Sequence, residues 1–389
     1  MSPSKAGEEM IITPIKHSPD KKCNFGATIT GLDLNHISDE ELQALKRATH
    51  RYQVVVIKNQ HDLDPVKHWE LVTRLDPAAP QVHGHGTVKE FAKNGGLLSK
   101  QLVHGLPVAP NVRLVGKGYQ GDDHFGIKNF TAHSANNNYH ASPPSAEAFA
   151  AGNTQFHRWH MDAPLYEREP PHFTALRCVK SPVGPDITVH WDDGSGLSMK
   201  AKPGRTGFIS NVQLYELLTE EEKTLAENSW VEYAPFPYMW IENCKGNTTG
   251  MGLVTQGKEH TMEEMPEWNP DFIKTYPMVW NTADGRKALQ VHGIVARKLF
   301  LKPTLTSPVE EITDVVRIRK ILHNWQSRIL RPEYIFMAPV EEGDVGMWDN
   351  WSMFHSAVDY PESYGTRTMH QVNLGASDVP QGPRPVGIV

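Results

Sequence analysis

The chain has 389 residues, of which 39% are apolar and 22% charged, with a formal net charge of −6. That balance supports a buried core and excludes a disordered chain, and the lack of a basic block argues against a nucleic-acid partner. Twenty histidines stand against three cysteines, so a disulfide framework or a cysteine zinc cluster is excluded and any metal chemistry falls to histidine and carboxylate. The first ten residues carry no secretory signature, and the longest purely aliphatic run, Val54 to Ile57, is far too short to span a membrane. The expectation is a cytoplasmic protein acting on a small molecule without a membrane partner, with homo-oligomerisation left open.

In chain order, residues 24–34 read as strand and turn. Asp39 to Tyr52 carries helical spacing at Leu42, Leu45 and Ala48, and Val54 to Lys58 is a short buried strand. Asp64 to Leu75 is a second amphipathic helix, with Pro65 at its first position. Residues 81–154 turn to Gly, His, Asn, Pro and Ser, and 132–152 read entirely as loop. Strands follow at 173–179, 187–191 and 205–209, with Asp192-Asp193-Gly194-Ser195-Gly196 as a hairpin turn. A helix capped by Thr219 occupies 219–228, a strand 288–291, and an amphipathic helix 309–330. Strands at 334–337, 345–348 and 369–374 close the pattern. Strands with helical insertions and no βαβ alternation predict a mainly β protein, one antiparallel barrel or sandwich. The expected organisation is a single domain over 1–389: an α/β part at 1–80, lid and binding loops at 81–154, and a metal-bearing barrel at 155–375.

In a strand, residues i and i+2 share a face, so His160 and Asp162 can bind one metal from one short segment. A second such pair, His190 and Asp192, runs into the hairpin turn and is read as structural. His355 is followed 12 residues later by Arg367. Two histidines and one carboxylate leave three positions open and suit non-haem Fe(II). A cosubstrate such as 2-oxoglutarate fills two of these and O2 the third. Its far carboxylate calls for a planar, permanently charged fork, which arginine supplies.

With these residues in place, the sequence resembles the TauD/TfdA-type Fe(II)/2-oxoglutarate dioxygenases, in the fungal branch that includes xanthine dioxygenase. The likeness runs through V-V-V-I-K-N-Q-H at 54–61, G-H-G at 84–86, R-W-H-M-D-A-P-L-Y, D-D-G-S-G, V-E-Y-A-P-F-P-Y-M-W, E-E-G-D and H-Q-V-N-L. It implies a double-stranded β-helix (jelly roll), with His160, Asp162 and His355 as iron ligands. It also implies Arg367 as the anchor of the 2-oxoglutarate carboxylate and Thr188, 26 residues past Asp162, as a hydroxyl partner to the same cosubstrate.

Gln371 stands four residues after Arg367, where the relatives that oxidise taurine carry an arginine. Gln371 and Asn373 alternate on one strand face and offer donors and acceptors to a polar edge. Xanthine dioxygenases carry the same pair, which keeps a purine in view, whereas His133 falls where that branch carries a lysine. The same branch implies oxidation or cyclisation of small amino acids in secondary metabolism. Val345 and Met347 would then give an apolar wall to an aliphatic side chain, and His85 would face the pocket. Three readings thus stay open: an oxygenase of a small aliphatic amino acid or a purine, a metal-dependent hydrolase or lyase on a similar barrel, and a sensor that kept the site.

Overall fold

The computed structural model describes residues 9–85, 104–133, 139–163 and 165–387. Its main sheet, in chain order, contains β1 (Ile11–Pro14), β2 (Ala27–Thr30), β3 (Val54–Ile57), β4 (His104–Leu106), β5 (Ala109–Tyr119), β6 (Phe173–Lys180), β7 (Val345–Asp349) and β8 (Arg367–Asn373). They lie side by side as β1-β2-β3-β7-β6-β8-β5-β4, and all pairs except β2/β3 are antiparallel. A second sheet of Phe336–Met337, Thr206–Ser210 and Met353–Ala357 faces the first. Phe208, Trp348, Leu176, Met353 and Met369 fill the space between them. This is the jelly roll the sequence predicts.

Helix α1 (Asp39–Tyr52) starts where Ser38 and Glu41 form a reciprocal capping box. Helix α2 (Pro65–Leu75) starts at Asp64, whose carboxylate accepts from the Val66 N–H. Their apolar stripes, including Leu42, Leu45, Leu71 and Leu75, cover the outer face of the main sheet. Each fully buried leucine contributes roughly 2–3 kcal/mol by removal from water. The helix expected over 309–330 is shorter, Val315–Gln326, because Asp314 caps it and Glu310–Ile312 pairs as a strand with Ala296–Leu301. The stretch read as loop, 132–152, contains a short helix at Ala146–Ala150 capped by Ser145, while residues 134–138 of that reading lie outside the described residues.

Strand parity decides what meets the space between the sheets. On β8, Arg367, Met369 and Gln371 point inward, while His370 and Val372 meet the outer layer. On β7 the inward residues are Gly346 and Trp348. Val345 and Met347, expected at the pocket, instead pack with Val55 and Ile57 in the outer core. Every residue of β7 is buried, so its composition does not mark which face is which, and a one-residue change of parity exchanges the two.

Candidate active site

The segment before β6 runs back along the edge of Met353–Ala357. His160 and His355 exchange backbone hydrogen bonds of 3.1 and 2.9 Å, which sets their side chains next to each other. Asp162, two residues on, turns its Oδ1 to both rings, 3.8 Å from His160 Nε2 and 3.7 Å from His355 Nε2. One ligand atom from each of the three residues lies within 4.8 Å of the others.

The carboxylate is fixed from behind. Thr174, on the inner face of β6, donates to Asp162 Oδ2 at 2.8 Å, and Gln371 Nε2 reaches the same oxygen at 3.4 Å. Asn350 clamps the Asp162 backbone with two bonds of 2.8 Å, one to its N–H and one to its carbonyl. His160 Nδ1 lies 2.9 Å from the Arg158 carbonyl, so that nitrogen carries the proton and Nε2 presents its lone pair to the centre. Burial holds both imidazoles below the usual histidine range, aided for His160 by the neighbouring His355 and Arg158 charges. Neutral imidazole is the ligating form, so the donor set fits a hard or borderline divalent cation.

A narrow cavity adjoins His355. Trp348 and Phe208 wall it, with ring centroids 4.8 and 6.1 Å from the His355 ring, and Cys178, Ser181, Thr206 and Arg367 supply its polar lining. Arg367 spends its Nε on the Gly204 carbonyl at 2.8 Å, and its terminal nitrogens have no hydrogen-bond partner among the described residues. Gly204 has φ +69°, and a Cβ there would stand 3.0 Å from the Arg367 Cδ, so the close approach requires glycine. The indole nitrogen of Trp348 is buried without a partner among the described residues. This lining suits a carboxylate-ended cosubstrate.

The expected cosubstrate hydroxyl is elsewhere. Thr188 lies on Ile187–His190, whose Ile187 and Val189 take the core face; alternation turns Thr188 outward, where Lys200 Nζ donates to it at 2.6 Å. Cys178, Ser181 and Thr206 line the Arg367 cavity in its place. Asn373 is largely committed to structure: its Oδ1 accepts from the Gly84 N–H at 3.3 Å and its Nδ2 donates to Thr174 at 3.4 Å. That contact carries the G-H-G segment against β8 and brings His85 near the site, where burial and the charges of Arg113, Arg158 and Arg168 push its pKa down to about 3. His133 is exposed at the end of a two-residue strand paired with β5. His190 and Asp192 bond to Asn153 and Gln155, as hairpin residues should.

Four residues near the centre were not singled out from sequence: Arg113, Arg158, Tyr238 and His292. Arg113 lies opposite Gln371 on β5, 3% exposed, with its charge near Asp162. Tyr238 donates or accepts at 3.0 Å with His292 Nε2. Arg158 at least had a signal, since 158, 160 and 162 share one face of an extended segment.

A profile of the taurine catabolism dioxygenase TauD, TfdA family matches residues 12–373. The chain is 43% identical over 387 residues to alpha-ketoglutarate-dependent dioxygenase bsc9 of Alternaria brassicicola, covering 96% of each. It is 40% identical over 391 residues to alpha-ketoglutarate-dependent dioxygenase fc-dox of Phomopsis amygdali, covering 97% of this chain and 96% of that one. To alpha-ketoglutarate-dependent xanthine dioxygenase xan-1 of Neurospora crassa it is 35% identical over 383 residues, with 96% and 88% covered. Among solved structures, a taurine dioxygenase from Burkholderia xenovorans matches with a TM-score of 0.53 at 16% identity, covering 96% of this chain and 91% of that one. AAD-2 in complex with Mn(II) and N-oxalylglycine also gives 0.53 at 16%, covering 95% and 99%. At that identity the two structures speak for the shared fold.

Proposed function

Since the chain belongs to the TauD, TfdA family, we propose that His160, Asp162 and His355 hold its iron and that Arg367 receives the far carboxylate of 2-oxoglutarate. Like its relatives, it is an alpha-ketoglutarate-dependent dioxygenase, using Fe(II), 2-oxoglutarate and O2. When bound, that set supplies oxidative decarboxylation to succinate and CO2, coupled to oxidation of a substrate C–H bond. The observation that carries the reading is the convergence of the three ligand atoms beside an arginine-ended cavity.

The protein's own residues position and shield. Thr174 and Asn350 hold Asp162 in one orientation, and burial keeps both imidazoles deprotonated. Trp348 and Phe208 keep water from the His355 side. Gln371 reaches Asp162, and His85 is buried near Arg113, Arg158 and Arg168; in our reading they border the place of a small polar metabolite, a small aliphatic amino acid. The likeness to xan-1 favours a purine as the second reading. Three buried free thiols support a reducing, cytoplasmic setting; no helix among the described residues is long and apolar enough to cross a membrane.

His160→Ala, Asp162→Ala and His355→Ala should each abolish substrate-dependent succinate release and weaken Fe(II) binding in a direct titration. Retained turnover by any of them would sink the assignment. Arg367→Ala should raise the half-saturating 2-oxoglutarate concentration at least tenfold; an unchanged value would remove Arg367 from the cosubstrate site.

A further inference from the structure

Arg158 is 4% exposed, yet it forms no ion pair among the described residues. Its Nε is buried without a hydrogen-bond partner, and its guanidinium carbon lies 4.7 Å over the ring of Tyr238. Buried guanidinium groups are ordinarily matched by a carboxylate, because a charge removed from water without a partner is strongly disfavoured. The carboxylate of the site is already engaged: Asp162 faces the two imidazoles with one oxygen and accepts from Thr174 with the other. Arg158 stands two residues before His160 on one extended segment, and its carbonyl lies 2.9 Å from His160 Nδ1, so its guanidinium belongs to the stretch that carries the proposed ligands. Tyr238 fixes the fork by stacking, and the Tyr238–His292 hydrogen bond fixes Tyr238. Arg367 belongs to a different wall, among Cys178, Ser181 and Thr206. Among the described residues, Arg158 and Arg367 are thus two buried arginines beside the proposed metal centre with no carboxylate partner, where the cosubstrate's far end needs only one.

We infer that Arg158 is the anion receptor of the substrate chamber and that the substrate is a small carboxylic acid held through its carboxylate. This rests on the oxygenase reading above and narrows it: the acid group is read from the segment that carries His160, rather than from the strand position of Gln371. Planar, bidentate recognition is what a stacked guanidinium does best, and lysine would not reproduce it. A neutral purine or an amide leaves the charge unmatched.

The test uses the Fe(II)- and 2-oxoglutarate-loaded protein and a panel of aliphatic and aromatic α-amino acids, each paired with its carboxamide, together with xanthine and hypoxanthine. Succinate release is read under O2, and ligand binding is read by calorimetry without O2. At least one acid should stimulate turnover while its carboxamide does not. Arg158→Met should lower kcat/KM and affinity for that acid by about 10- to 100-fold, the usual loss on removing charge-assisted hydrogen bonds. Arg158→Lys should recover part of the affinity. The 2-oxoglutarate affinity should not change, and iron should still bind, because the bond from His160 goes to the Arg158 backbone carbonyl and survives the substitution. Stimulation by no acid, equal stimulation by acid and carboxamide, or a raised 2-oxoglutarate requirement in Arg158→Met would each overturn the inference. Wild-type protein that releases no succinate from 2-oxoglutarate, even uncoupled from any substrate, would instead overturn the oxygenase reading.

Discussion

Asp162 is the residue on which the centre turns, and its orientation is set by groups that touch no metal. A carboxylate free to rotate would offer either oxygen to the histidines; the 2.8 Å bond from Thr174 to Oδ2 leaves Oδ1 as the one that faces them. Removing such an outer hydrogen bond commonly costs 10- to 100-fold in metal affinity. Thr174→Val keeps the β-branched shape in a fully buried site, so the fold should survive. Its Fe(II) affinity should fall about tenfold, with turnover recovering at high iron; unchanged affinity would show that Asn350 and Gln371 suffice. The grouping of His160, Asp162 and His355 was legible in the sequence, from i, i+2 on one strand face and one later histidine, and the proposed role of Arg367 rests on a fork within reach of that histidine. Thr174 was not, because its meaning lies in the partner it has. A threonine in an apolar strand reads as β propensity until the carboxylate beside it is seen.

At the scale of elements, β8 carries active-site groups on one face and a histidine cluster on the other. His370, on the outer face, lies 2.8 Å from His124 through their Nε2 atoms. His68, from α2, is fully buried with neither ring nitrogen bonded to a described residue. Burial, with Arg177 nearby, pushes His68 down to about 3; burial, then His68, His124 and Arg177, push His370 down to about 2. Each is neutral when folded and takes up a proton when unfolded below about pH 6.5, so the unfolded state binds more protons in that range. The stability they contribute is complete above pH 6.5 and is lost as pH falls toward 3. For His68 alone the loss between pH 6.5 and 5 is about 2 kcal/mol. Urea unfolding midpoints should therefore drop over that range, and His68→Leu should flatten the drop. An identical slope in the variant would locate the acid sensitivity elsewhere. Helices α1 and α2 were readable from periodicity, α1 to its end residues. The faces of β7 were not, since a strand buried on both sides carries no alternation to read.

At the scale of the whole molecule, the N-terminal residues are part of the barrel's main sheet. β3, fully buried at every residue, lies between β2 and β7, and β7 in turn supplies Trp348 to the cavity beside His355. The outer core runs continuously from Ala27 to Leu374. Unfolding the first 80 residues would strip the outer layer from β7 and leave its edge unpaired, so the two parts should melt together, as the single-domain reading requires. Ligands that bind only the folded centre stabilise whatever is coupled to it, by about 2.7 kcal/mol at a hundredfold excess over Kd. Mn(II) with N-oxalylglycine should therefore raise one thermal transition, seen alike by far-ultraviolet circular dichroism and tryptophan fluorescence, and Asp162→Ala should abolish the shift. A lower transition that ignores these ligands would show that residues 1–80 fold apart from the barrel. Coincident movement of both probes would mean that α1, α2 and β1–β3 stand or fall with the proposed metal site, although none of the proposed ligands belongs to them.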